Sequence, residues 1–194
     1  MQVLKFILPF LLKNYSMLPE KYHWLNSLGV LPKMVAEGIS LLGIKEVPGN
    51  NDNPQIMAMA KALGLEKIYL HDEMPWCALA QSYLCFKTGK PLPGKQYDLL
   101  RAISFANWGN PVNTPQLGDV LVFKREGGAH VGMYIAESES TYHVMGGNQG
   151  NAYSIVEIAK IRLYTARNYY HTAPPASVKK YFLNSSGILS VNEA

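Results

Sequence analysis

Asp72-Glu73-Met74-Pro75-Trp76-Cys77-Ala78-Leu79-Ala80-Gln81-Ser82-Tyr83-Leu84 is the stretch on which the reading of this chain turns. Pro75 suits a first helical turn, where its missing N–H costs nothing, and the small and apolar residues after it keep a helical period. Cys77 therefore belongs to the opening turn of a buried helix. The unpaired N–H groups and positive end of a helix stabilise a thiolate, the form of cysteine that attacks carbonyls. A structural cysteine gains nothing from that position.

Further on, Gly127-Gly128-Ala129-His130-Val131-Gly132-Met133-Tyr134-Ile135 reads as a strand with a histidine near its start, behind a glycine turn. A cysteine on a helix and a histidine on a later strand form the pairing of nucleophilic acyl transfer, with His130 as general base. Alternation puts His130, Gly132 and Tyr134 on one face of the strand and Val131, Met133 and Ile135 on the other. With the histidine face toward the cysteine helix, Gly132 would remove a side chain where helix and sheet approach.

A base of this kind needs a partner that fixes its tautomer and steadies the imidazolium. His143 and Asn148 both follow His130. A hairpin turn within residues 137–140 pairs residue 130 with 147 or 148, and 143 with 134 or 135. His143 then falls some four residues along the ladder, ~13 Å away at strand rise. That geometry favours Asn148. A one-residue change in the turn would swing its side chain to the wrong face, and Gly146-Gly147 can hold a bulge that restores it. His143 and Gln149 stay open as alternatives.

Four short motifs occur in order: Pro75-Trp76-Cys77, Gly118-Asp119-Val120-Leu121-Val122-Phe123, His130-Val131-Gly132 and Gly146-Gly147-Asn148-Gln149. Together they resemble the papain-like cell-wall amidohydrolases and peptidases, the NlpC-like and CHAP groups, over about residues 34–168. The resemblance implies a papain-like α+β fold and a peptidoglycan substrate. It also implies an asparagine in the orienting role, as in papain-like enzymes, or a histidine, as in NlpC-like ones.

Around that pair, the backbone N–H of Cys77 is expected to contribute to an oxyanion hole. Glu73 and Tyr69 are candidates to assist it, against a plain capping or packing role. Trp76 and Trp108 are candidate groove walls, although buried aromatics more often serve the core. Asp119 reads as a turn residue opening its strand. Cys85 reads as core, and a disulfide with Cys77 is excluded: eight residues of helix separate them by about 12 Å, where a bridge needs about 7 Å or less. His23, His71 and His171 have no partners at zinc spacing, and the acid and amide side chains of residues 46–54 read as turns and caps. No metal and no cofactor is expected.

The 194 residues suit one catalytic domain, and 48% hydrophobic against 16% charged residues is a globular balance. The net charge of +4 suits an anionic partner such as a cell wall, but no Lys/Arg run is dense enough to read as a nucleic-acid stripe. Residues 2–12 are apolar but interrupted by Pro9 and lack a small-x-small cleavage site, so neither a signal peptide nor a membrane span is expected.

The expected organisation is a helical extension over 1–33, a catalytic domain over 34–170, and a tail over 171–194 with a short helix at 178–183. Helices are expected at 34–44, 54–63, from 75 to about 88, and at 97–108. About five antiparallel strands follow, at 119–124, 129–136, 141–145, 153–158 and 162–168. The whole reads as a cysteine hydrolase of a peptidoglycan amide, acting in the periplasm or outside the cell, and an immunity or secretion partner stays open. An acyltransferase, a protein peptidase and a non-catalytic wall-binding or toxin-like module are the alternatives.

Overall fold

The computed structural model describes residues 17–49 and 51–190; the readings of 2–12 and 191–194 lie outside them. Among the described residues three α-helices, α1 (Lys33–Leu41), α2 (Pro54–Ala62) and α3 (Cys77–Lys87), precede a six-stranded antiparallel sheet. Its strands are β1 (Asn110–Val112), β2 (Val120–Arg125), β3 (Gly128–Glu137), β4 (Thr141–Gly146), β5 (Ser154–Ala159) and β6 (Leu163–Asn168). They lie in the order β1-β6-β2-β3-β4-β5. The architecture is α+β, with one strand more than expected.

Helix α3 is apolar nearly all round, and it is buried accordingly: Cys77 to Ser82, Leu84 and Cys85 are all inside. It packs with α1 and α2 on the sheet face that carries Val120, Val122, Val131, Met133, Ile135 and Met145. Leu121, Phe123, Tyr134, Tyr142, Val144 and Ile158 form a second cluster on the other face. The period of two along β3 thus divides its side chains as the alternation requires. Leu18, Tyr22 and Leu25, around a 3-10 segment at Glu20–Ser27, join the first core, so this part of the N-terminal extension packs rather than dangles.

Several expected boundaries move for local reasons. Pro75 lies ahead of the helix, because Trp76 holds the N-cap with φ −125° and ψ 13° and leaves Cys77 as first helical residue. Residues 97–108 form two 3-10 turns, Gln96–Leu100 and Ala102–Asn107, split where Arg101 is extended at φ −114° and ψ 113°. Asn110-Pro111, read as a turn, pairs instead with β6 as a short edge strand, the one place in a sheet that accepts proline. Residues 178–183 are not helical. Phe182 makes a parallel bridge to Glu137, and Leu183 N–H donates to Glu137 O at 2.9 Å.

The tail is pinned by two buried carboxylates. Glu137 accepts from Lys160 at 3.1 Å and pairs with Lys180 at 2.9 Å. Glu157 accepts from Lys21 at 2.9 Å, from the Ser186 N–H at 2.8 Å and from the Ser185 hydroxyl at 2.5 Å. Burial alone would push the Glu157 carboxyl up, but these donors outweigh it and hold it down to about 2. A folded pKa below the unfolded one contributes stability above about pH 4.5 that is lost as pH falls toward 2. We expect Glu157→Gln to be less stable than the parent by on the order of 2–3 kcal/mol at pH 6, and to show a flatter loss between pH 5 and 2.5, in urea titrations across that range.

Candidate functional site

The site begins with the loop ahead of α3. Asp72 is fully buried, and its Oδ2 accepts the backbone N–H of Val47 at 2.8 Å and of Asn53 at 2.7 Å, which ties the α1–α2 connection to the chain entering α3. Tyr69, also fully buried, donates its hydroxyl to Met74 O at 3.0 Å and lies within hydrogen-bond reach of Asp72 O at 3.4 Å. Trp76 Nε1 donates to Glu46 Oε1 at 2.7 Å. These bonds fix the direction in which the helix starts. Asp72 and Glu46 were not singled out from the sequence; the signal was a turn-rich loop at 46–54 whose N–H groups needed acceptors.

Cys77 is 5% exposed at the first position of α3. Its thiol meets the backbone N–H groups of Val131 and Ala78, and the positive charge of Arg125 acts on it. The helix start was expected to favour the thiolate. Burial instead pushes the Cys77 thiol up, against the pull of those N–H groups and of Arg125. Cys85 is buried deeper on the same helix and is pushed up to about 12.

Val131, which meets the thiol, is the next residue after His130. The imidazole lies on the opposite side of the strand, near-parallel to the Phe123 ring at 6.5 Å between centroids. Thiol and imidazole therefore lie on opposite faces of β3, and the histidine face, expected to look at the cysteine helix, looks away from it because His130 shares the face of Phe123 and Tyr134. The expected close approach at Gly132 is not to the helix: a Cβ there would meet Val144 Cγ1 at 2.6 Å and Met145 O at 2.9 Å. Gly147 is the glycine against α3, where a Cβ would lie 2.7 Å from the Trp76 ring and 2.9 Å from Ala80.

Gln149 supplies the partner for the histidine. Its Oε1 lies 3.0 Å from His130 Nε2, while its Nε2 donates to Val144 O at 3.2 Å and Ser154 O at 2.7 Å. Two carbonyl acceptors identify the amide nitrogen, so Oε1 faces the ring and His130 Nε2 must donate to it. The neutral imidazole then carries its lone pair on Nδ1. Asn148, the residue favoured by extrapolated register, is buried and turns the chain with φ 57°. That left-handed step carries the next side chain, Gln149, back over Gly146, whose Cβ would stand 3.4 Å from Gln149 Oε1.

His143 belongs to another network. A register shift between Tyr134 and Ala136 places it opposite Ala136, six residues along β3 from His130, or ~20 Å at strand rise. Its Nδ1 lies 2.8 Å from the Tyr22 hydroxyl and 3.9 Å from Glu157 Oε1. Burial pulls its pKa down. Glu73 is exposed, with Gly49 N–H at 3.4 Å from its carboxylate. Trp108 is buried, donates to Pro91 O at 2.7 Å, and packs with Phe105 and Tyr169 instead of near Cys77. Asp119 does take a turn: its carboxylate accepts the Gln116 N–H at 2.8 Å.

Both cysteines are unbridged. Among the described residues no group of three His, Cys, Asp or Glu side chains is placed to hold a metal ion, and no helix is long and apolar enough to cross a membrane. No family model matches this chain, and no curated protein or solved structure is similar to it.

The burial of both thiols sets an expectation for their chemistry. In native protein at pH 7 iodoacetamide should alkylate Cys77 at least about ten-fold more slowly than a free cysteine, and the rate should keep rising above about pH 9.5, where an unperturbed thiol levels off. Peptide mapping by mass spectrometry reads both.

Proposed function

We propose that this chain is a papain-like cysteine hydrolase that cleaves an amide of bacterial peptidoglycan. The observation that carries the reading is the oriented imidazole: Gln149 accepts from His130 Nε2 and directs Nδ1 away from itself, on the face of β3 opposite to the one where the Cys77 thiol meets the Val131 N–H. The substrate class rests on the motif resemblance alone.

In this mechanism the Cys77 proton passes through water around the start of β3 to His130 Nδ1, on the other face of the strand, as sulfur attacks the amide carbonyl, and Gln149 Oε1 holds the resulting imidazolium through its Nε2–H. The oxyanion faces backbone N–H groups at the start of α3, which have no acceptor within the helix. The tetrahedral intermediate collapses as the C–N bond breaks and the proton held by His130 returns by the same water path to the departing amine. Water, giving its proton to Nδ1, then attacks the thioester and releases a carboxylic acid and the thiol.

Digestion of purified sacculi, read by chromatography and mass spectrometry, tests this. Wild type should release new muropeptides and Cys77→Ala should release none while keeping its fold; equal digests from the two would defeat the proposal. Gln149→Ala should lower kcat by about 10–100-fold and shift its pH profile. His143→Ala should leave kcat within about two-fold and lower stability instead, since it unmakes a buried contact with Tyr22.

A further inference from the structure

The far end of α3 carries a second feature that the proposed chemistry does not use. A cavity of about 320 Å³ opens there, walled by Pro32, Met34, Trp108, Tyr169, Tyr170 and Pro174. The eleven residues of α3 set it ~16 Å from Cys77. Its volume lies at the small end of the range for ligand sites, enough for one ring system with a short substituent.

The charges at this cavity are one-sided. Lys33, Lys90 and His171 line it, and none of its described lining residues is acidic. Lys33 is exposed at the first position of α1. The Lys90 ammonium donates to Tyr169 O and stands 4.9 Å from the centre of the Tyr170 ring and 5.8 Å from that of Tyr169. One carbonyl takes one of the three N–H bonds of the ammonium, and the two ring faces are weaker partners that a carboxylate can displace. The nearest acid, Asp119, sits behind the wall with its carboxylate turned to the Gln116 N–H. Burial pulls Lys90 down, with Lys33 adding to that pull, and pushes Asp119 up to about 6. Two cations thus meet over an aromatic floor, with one internal carboxyl to balance them.

We propose that this cavity is a binding site, separate from Cys77, for a small aromatic carboxylate whose ring lies among Trp108, Tyr169 and Tyr170 and whose carboxylate meets Lys33 and Lys90. Aromatic walls take the flat apolar body, and the paired ammonium groups take the charge. The proposal does not depend on the hydrolase reading.

A matched pair of probes tests it: indole-3-acetate and its neutral isostere indole-3-acetamide, titrated into the intact protein and followed by calorimetry and by the Trp108 indole N–H resonance. The acetate should bind and move that resonance, and the acetamide should bind at least about ten-fold more weakly. Lys33→Gln, at an exposed position that leaves the fold intact, and Lys90→Gln should each weaken the acetate about five-fold or more. Equal binding of the two probes, unchanged acetate binding in Lys33→Gln, or no binding of either probe up to about 10 mM would overturn the proposal.

Discussion

A primary amide offers one acceptor and two donors, and Gln149 spends all three. Its nitrogen reaches carbonyls on β4 and at the start of β5, and its oxygen reaches the histidine of β3. One side chain therefore fixes the relation of three consecutive strands at the end of the sheet nearest Trp76. A carboxylate there could not donate to the two carbonyls, and an apolar residue would leave them unmet at a buried point, a loss of about 1–3 kcal/mol for each group left without a partner. The glycines around Gln149 follow from the same constraint. Gly146 clears the path of its amide, Gly132 lets β4 approach β3, and Gly147 lets the turn close on the Trp76 ring.

That ring has its own tether. The bond from Trp76 to Glu46 joins the start of α3 to a segment that is itself paired with the Gln149 turn: Lys45 bridges Ala152, and Glu46 N–H donates to Asn151 O at 3.0 Å. The loop bearing Gln149 is thus gripped from the α1–α2 connection on one side and from α3 on the other. Burial and the charges of Asp72 and Glu73 push Glu46 up, and the indole hydrogen bond opposes them. Cysteine and histidine are positioned by separate elements that meet at this turn.

Much of this was legible in the sequence. Every one of the five expected strands appears within a residue or so of its expected bounds, because alternation over six to ten residues between turn signals leaves few other registers. Cys77 at a helix start and His130 early on a strand are where their neighbours placed them. The missed strand β1 is three residues long with proline at its centre, too short for a period to register. Gln149 in place of Asn148 is a one-residue matter, decided by a left-handed backbone step at Asn148 that alternation does not encode. A helix start announces itself in sequence, whereas the depth of burial that pushes the thiol up against it is a property of the assembled core.

The sheet's outer strands carry a consequence beyond the site. An unpaired edge is a template on which another chain can add a strand, and the two edges here are blunted in different ways. At one, β1 is short and Pro111 removes a donor. At the other, the Ser190 N–H donates to Glu157 O at 2.8 Å, while the Glu157 carboxylate holds Ser185 and Ser186 beside it. The last stretch of the described chain therefore acts as a guard against intermolecular pairing, and the ion pair between Lys21 and Glu157 links that guard to the N-terminal side of the molecule. The cover over that edge is a serine-rich strap fastened by the Glu157 carboxylate and by the Arg162 guanidinium, which donates to Ser190 O.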